Sequence, residues 1–176
     1  MNIAHIQAGD LLPDSFNVIV EIPANALPVK YEMDKTSGAL FVDRFLSTAM
    51  QYPMNYGFVP HTLSQDGDPT DVLVHAPFPL PGGVVVPCRP IGLLKMEDEH
   101  GIDKKVVAVP LDAVCPMTAT IRSLEDLPQA LLQQTLHFFS HYKDLEAGKW
   151  AKVHGWDDLE AARAEIIESV QRYQAP

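Results

Sequence analysis

Cysteine is scarce: Cys88 and Cys115 are the only two in 176 residues. Two cysteines so spaced make neither a metal knuckle nor a disulfide framework, and both are expected to be small apolar fillers. No apolar run approaches the ~20 residues needed to cross a bilayer. The opening stretch MNIAHIQAGDLLPDSF has neither the basic start nor the apolar core of a leader peptide. Internal repeats, low-complexity tracts and Gly/Ser linkers are missing as well. These absences point to a cytoplasmic, globular chain with one domain over 1–176. Positive charge is short: 13 Lys and Arg stand against 23 Asp and Glu, a net charge of −10. That balance argues against nucleic acid and anionic membranes as partners. It also means that an anionic substrate would have to be held with recruited cations. Nucleophile elbows, P-loops and dinucleotide fingerprints do not occur.

What is present is organised around Asp66 to Asp71, DGDPTD. Three carboxylates fall within six residues, punctuated by Gly67 and Pro69. Asp66 and Asp68 are two apart and share a face if the chain is extended. Pro69 bends the chain, and Asp71 opens the strand-like run DVLVHA. Three anions in one loop repel each other, and a hard divalent cation (Mg²⁺, Mn²⁺ or Ca²⁺) would relieve that. A solvated acidic turn accounts for this stretch equally well when it is taken alone. The EF-hand pattern fails, because Thr70, Asp71 and Pro77 occupy positions five, six and twelve.

The first two-thirds of the chain reads as short strands separated by turns: 16–22, 29–33, 39–45, 55–59, 72–75, 84–96 and 105–109. Fifteen prolines are distributed along the chain. Short strands with tight turns suggest a small closed or partly open barrel. The last third changes to helical spacing. Leu131, Leu132, Leu136, Phe138, Phe139, Tyr142 and Leu145 form one stripe, with Asp126 as N-cap and Pro128 in the first turn. Leu159, Ala162, Ile166, Val170 and Tyr173 form another, starting near Asp157 with Glu160 as its capping-box partner. Both stripes are expected to pack on the barrel. The class is therefore α+β.

Other polar residues sit inside strand-like runs. Lys30 and Glu32 share a strand face, as a surface ion pair would. Arg44 follows Asp43 in ALFVDRF and offers a planar fork suited to phosphate oxygens. Tyr52 and Tyr56 can bury their rings and still present hydroxyls. Asp98 and Asp103 flank a turn at Gly101, with Lys104 and Lys105 following. Tyr142 and Lys143 end the first helix, where a lysine also complements the helix dipole. His137 and His141 lie one turn apart and read as packing or subunit-contact residues before a metal pair. Two acidic loops, cations and tyrosines converging on a barrel mouth would suit a polyanionic phosphate held by metals.

With EIPAN, KYE, ALFVDRF, YPMNYGFVPHTLSQDGDPTDVLV, KMEDEHGIDKK and HFFSHYKDLEAGKW in place, the chain resembles the family I soluble inorganic pyrophosphatases of the bacterial type over nearly its whole length. The resemblance implies a small five-stranded OB-like β-barrel with flanking strands and two main helices near the C-terminus. It implies Mg²⁺-dependent hydrolysis of pyrophosphate to two orthophosphates, serving biosynthetic reactions that release pyrophosphate, by a homohexamer. It implies that Asp66, Asp71 and Asp103 hold one Mg²⁺, with Asp71 shared by a second. Asp98 and Asp103 then hold a metal that arrives with substrate, and Glu32 a further one; Mn²⁺ or another divalent ion could substitute. By the same resemblance Asp68 is the general base for the attacking water. Lys30, Arg44, Tyr56, Tyr142 and Lys143 contact phosphate, and Glu21, Tyr52 and Lys105 complete the site. The chain departs from the family pattern at Thr70, usually aliphatic, and at Leu27, polar or acidic in many relatives. Competing readings are an OB-like metal-binding module without turnover, a Ca²⁺-binding structural protein, and a paralogue acting on another phosphoanhydride.

Overall fold

The structure, a computed structural model, describes residues 3–175. Met1, Asn2 and Pro176, the ends of the expected 1–176 domain, lie outside the described residues. In chain order the strands are β1 Phe16–Ile22, β2 Val29–Met33, β3 Leu40–Phe45, β4 Asn55–Phe58, β5 Asp71–Val74, β6 Val85–Asp98, β7 Gly101–Ile102, β8 Lys105–Pro110 and β9 Ala151–Asp157; the helices are α1 Gln129–His141 and α2 Leu159–Gln174.

Five strands close a ring. Strand β1 pairs with β4, β4 with β5, β5 with β8, β8 with β6, and β6 returns to β1. The β5–β8 pairing is parallel and the others are antiparallel. Strand β6 outruns the ring, and its far end pairs with β7 and β9. Its Pro90 coincides with a register shift against β8, where a missing amide hydrogen is tolerated. The β2–β3 hairpin stands apart as a two-stranded sheet. Its turn is fixed by Asp34, whose carboxylate accepts from the Ser37 amide at 2.8 Å, and by Gly38 at φ +68°.

Period two in the strands sorts side chains into two cores. Val72, Val74, Val106 and Ala108 pack with Ala162 and Ile166 of α2, while Leu73, Val107 and Val109 join the cluster that contains Leu132, Phe138 and Phe139 of α1. Strands covered on both faces show continuous apolar runs instead of alternation. This is the expected α+β barrel.

Several expected boundaries shift. Asp126 does not cap α1; it ends a 3₁₀ turn, Leu124–Asp126, where it forms a capping box with Ser123. The N-cap of α1 is Pro128, because a ring without an amide hydrogen fits outside the first turn. Leu145 lies beyond α1 and is 77% exposed. The cap of α2 is Asp158, whose side chain accepts from the Ala161 amide at 3.0 Å, while Asp157 ends β9. Tyr173 is half exposed and lies against the His61 ring. Strands β7 and β9 had no counterpart in the sequence reading. Among the described residues no helix is long and apolar enough to cross a membrane. Both cysteines are free; Cys88 is buried and Cys115 only half-buried.

Candidate active site

A cavity of about 800 Å³ opens at one end of the barrel. All fourteen residues that the resemblance assigns to the site line it, although they come from eight separate segments of the chain. Strand β1 contributes Glu21, which accepts from the Met33 amide at 2.7 Å. Burial pushes the Glu21 carboxyl up to about 8, against that hydrogen bond. The β2–β3 hairpin brings Lys30, Glu32 and Arg44, with Lys30 directly across from Arg44. Lys30 is hydrogen-bonded to Glu32 and lies 3.4 Å from Asp43. Arg44 Nη1 donates to Asp43 at 2.7 Å, and its Nε donates to Glu146 Oε2 at 2.9 Å. The charges inside these strand-like runs thus line a hairpin with one face on the cavity.

Tyr52 and Tyr56 are almost fully buried; the Tyr52 ring packs at a tilt against Phe138 of α1, with centroids 4.6 Å apart, and against Tyr56 at 5.4 Å. Tyr56 donates its hydroxyl to Asp71 Oδ2 at 2.5 Å. Burial, and then the charge of Asp71, hold the Tyr56 phenol far above its ordinary range, so it serves as a donor. Asp66 and Asp68 occupy the loop between β4 and β5, where the Asp68 amide donates to Asp66 Oδ1 at 3.1 Å. Burial raises the Asp66 carboxyl, and Asp71 and Asp68 add to that by repulsion. Thr70, the departure from the family pattern, is fully buried but satisfied. Its amide donates to Thr62 Oγ1 at 2.9 Å, and its hydroxyl meets that of Ser64 at 3.2 Å.

Asp71 and Lys105 are register partners in the parallel β5–β8 pair. Lys105 Nζ donates to Asp71 at 2.6 Å and to Asp103 at 2.7 Å. Burial works to lower the Lys105 ammonium, but the two carboxylates outweigh it and hold the pKa well above that of a free lysine. Asp103 itself is raised by burial in spite of Lys105. Tyr142 caps α1, and Lys143 reaches across to Asp98 at 2.8 Å and Glu99 at 2.9 Å. Burial opposes the charge on Glu99, yet its hydrogen bond from Lys143 brings the carboxyl down to about 2. The lysine therefore lines the cavity as the ion-pair partner of Asp98 and Glu99. His137 and His141 lie outside the cavity lining, and His141 pairs with Asp144 at 2.8 Å.

The sequence reading missed Lys35, which lies 3.4 Å from Asp68, and Glu99. Ten lining side chains are carboxylates, against six that are ammonium or guanidinium groups. Each cation expected to hold phosphate is already paired with a carboxylate. Glu146 Oε1 is buried with no hydrogen-bond partner. The donor set, all oxygen and in anionic excess, fits hard divalent cations. Among the described residues no three carboxylates yet stand together closely enough to grip one ion, and Lys105 occupies the place between Asp71 and Asp103.

Fold and site together define a class: a small barrel with an oxygen-lined, acidic cavity in which carboxylates outnumber cations. Comparison with known proteins narrows it. The family model described as inorganic pyrophosphatase matches residues 18–174. The inorganic pyrophosphatase of Salmonella typhimurium is 58% identical over 172 residues, covering 98% of each chain. That of Vibrio vulnificus is 58% identical over 174 residues, covering 99% of each. Among solved structures, an inorganic pyrophosphatase of Coxiella burnetii superposes with a TM-score of 0.93 at 54% identity, covering 96% of this chain and 100% of that one. The Thermus thermophilus inorganic pyrophosphatase gives 0.93 at 42% identity, covering 99% and 100%. The chain belongs to the inorganic pyrophosphatase family.

Proposed function

We propose that the chain hydrolyses inorganic pyrophosphate to two orthophosphates, with water as the nucleophile and Asp68 as the general base. The observation that carries this reading is the convergence of all fourteen candidate side chains on one cavity. Asp66, Asp71, Asp98, Asp103 and Glu32 would hold divalent cations, Mg²⁺ in the first place. When bound, such ions supply positive charge next to the phosphate oxygens and acidify nearby water.

The chain's own residues do the rest. Asp68 has its carboxylate open to the cavity and accepts the proton that water loses as it attacks phosphorus. Lys30, Arg44 and Lys143 exchange their carboxylate partners for phosphate oxygens and neutralise charge on the departing phosphate. Tyr56 and Tyr142, both nearly buried, donate hydrogen bonds without adding charge. Exposed Leu27, Val42 and Phe45 support assembly of the chain with copies of itself, for which a homohexamer is the reading. Removal of pyrophosphate would draw forward the biosynthetic reactions that release it.

The test is phosphate release from pyrophosphate with Mg²⁺, repeated with excess chelator. Release that the chelator abolishes is the expected result. A folded chain that binds Mg²⁺ and releases no phosphate would sink the proposal and leave an OB-like binding module in its place.

A further inference from the structure

Helix α2 contributes no side chain to the cavity, yet it is tied to both of its acidic walls. The tie centres on Glu165, which is 2% exposed. Helical spacing puts it beside Ala162, Ile166 and Ser169 on the buried face, where an apolar residue would pack without cost. Instead each of its oxygens takes a cation. Oε2 accepts from Lys104 Nζ at 2.8 Å, and Oε1 accepts from Arg172 Nη2 at 2.7 Å.

Each cation leads to one wall. Lys104 stands between Asp103 and Lys105, whose side chains meet at 2.7 Å on the cavity side. Alternation along extended chain turns Lys104 the other way, toward α2. Arg172 donates from Nε to the Leu63 carbonyl at 2.7 Å, and the Leu63 amide donates to the Ser169 carbonyl at 3.0 Å. Leu63 opens the loop that carries Asp66 and Asp68, and that loop is closed on itself by the Ser64 amide donating to the Asp68 carbonyl at 2.7 Å.

From this geometry we infer that Glu165 is a positioning residue: one buried carboxylate sets the separation between the Asp66–Asp68 loop and the Asp103–Lys105 wall. This rests on the pyrophosphate-hydrolysis reading. Misplacement of reacting groups by an ångström can cost about 10²-fold in rate, so a fixed separation matters to a site whose ligands come from both walls.

The test uses the full chain carrying Glu165→Gln, Lys104→Met or Arg172→Met. Three quantities are read: kcat and KM for pyrophosphate with Mg²⁺, Mg²⁺ binding by calorimetry without substrate, and the melting temperature. Glu165→Gln is expected to lower kcat about tenfold or more and to weaken Mg²⁺ binding severalfold. Lys104→Met and Arg172→Met should each give part of that loss. If Glu165→Gln does not fold, the two methionine variants carry the test, since each removes one tie and leaves the other. Folded variants with a lower melting temperature, but with kcat and Mg²⁺ binding within about twofold of the parent, would overturn the inference and leave Glu165 as a staple for α2. Absence of turnover in the parent would instead count against the function itself, and the Mg²⁺ titration would still report on Glu165.

Discussion

Asp68 has 76% of its side chain open, with Lys35 at 3.4 Å from its carboxylate. Its removal should therefore touch chemistry and not folding. Asp68→Asn is expected to lose about 10²–10⁴-fold in kcat at an unchanged melting temperature; near-parental turnover would take Asp68 out of its role. Glu21 is the opposite case. Its carboxyl sits at about 8 in the fold against an ordinary 4.5. The folded chain thus binds this proton more tightly than the unfolded chain does. The resulting stability is complete below about 4.5 and is lost as pH rises through 8, on the order of a few kcal/mol. In chelator, the melting temperature should fall between pH 5 and 8, and Glu21→Gln should flatten that fall. An unchanged slope in the variant would assign the titration to another group. At this scale the sequence was generous with ligands and poor in partners. The Asp66–Asp71 cluster is dense enough to stand out, whereas Lys35 and Glu99 look like any solvated charge until the fold brings them to Asp68 and Lys143.

Among the elements, β4 lies tightly against β1 at Gly57. A methyl group on Gly57 would come within 2.1 Å of the Ile19 carbonyl oxygen and 2.9 Å of the Val20 Cα, both backbone atoms of β1. The same strand carries Tyr56 into the site, so β1 and β4 cannot part without moving a phenol. Gly57→Ala should cost about 1–3 kcal/mol or more, read as a lower denaturant midpoint; a change under about 0.5 kcal/mol would mean that the strands yield freely. Strands β1, β5 and β8 were legible because burial on both faces writes itself as short apolar runs, Val18-Ile19-Val20, Val72-Leu73-Val74 and Val106-Val107-Ala108-Val109. Strand β9, AKVHGWD, was not: Lys152 and His154 are exposed, and it is a strand because β6 runs on past the barrel to pair with it. The start of α1 was misread because Asp126 has the chemistry of a cap but spends it on the 3₁₀ turn before Pro128.

For the molecule as a whole, charge decides the behaviour. A chain of net charge −10 gathers ten carboxylates around one opening. Their mutual repulsion is a standing cost to the native state. Mg²⁺ binding to the folded form alone, which the proposed function requires, should contribute about 2.7 kcal/mol at a hundredfold excess over Kd and raise the melting temperature by roughly 5–10 °C. Scanning calorimetry with MgCl₂, against NaCl of equal ionic strength, checks this; equal shifts in both salts would reduce it to screening.

Ring closure has a further consequence, for synthesis. Strand β8 comes last of the five in the chain, yet it lies between β5 and β6. Until Pro110 has left the ribosome, β5 and β6 lack the strand that joins them in the finished fold, and the backbone edges it would cover have no partner there. Such edges recruit strands from other chains, and closure over a long stretch of chain is slow. The nascent protein is thus most prone to aggregate when its first hundred residues are out, and that hazard ends as β8 slots in.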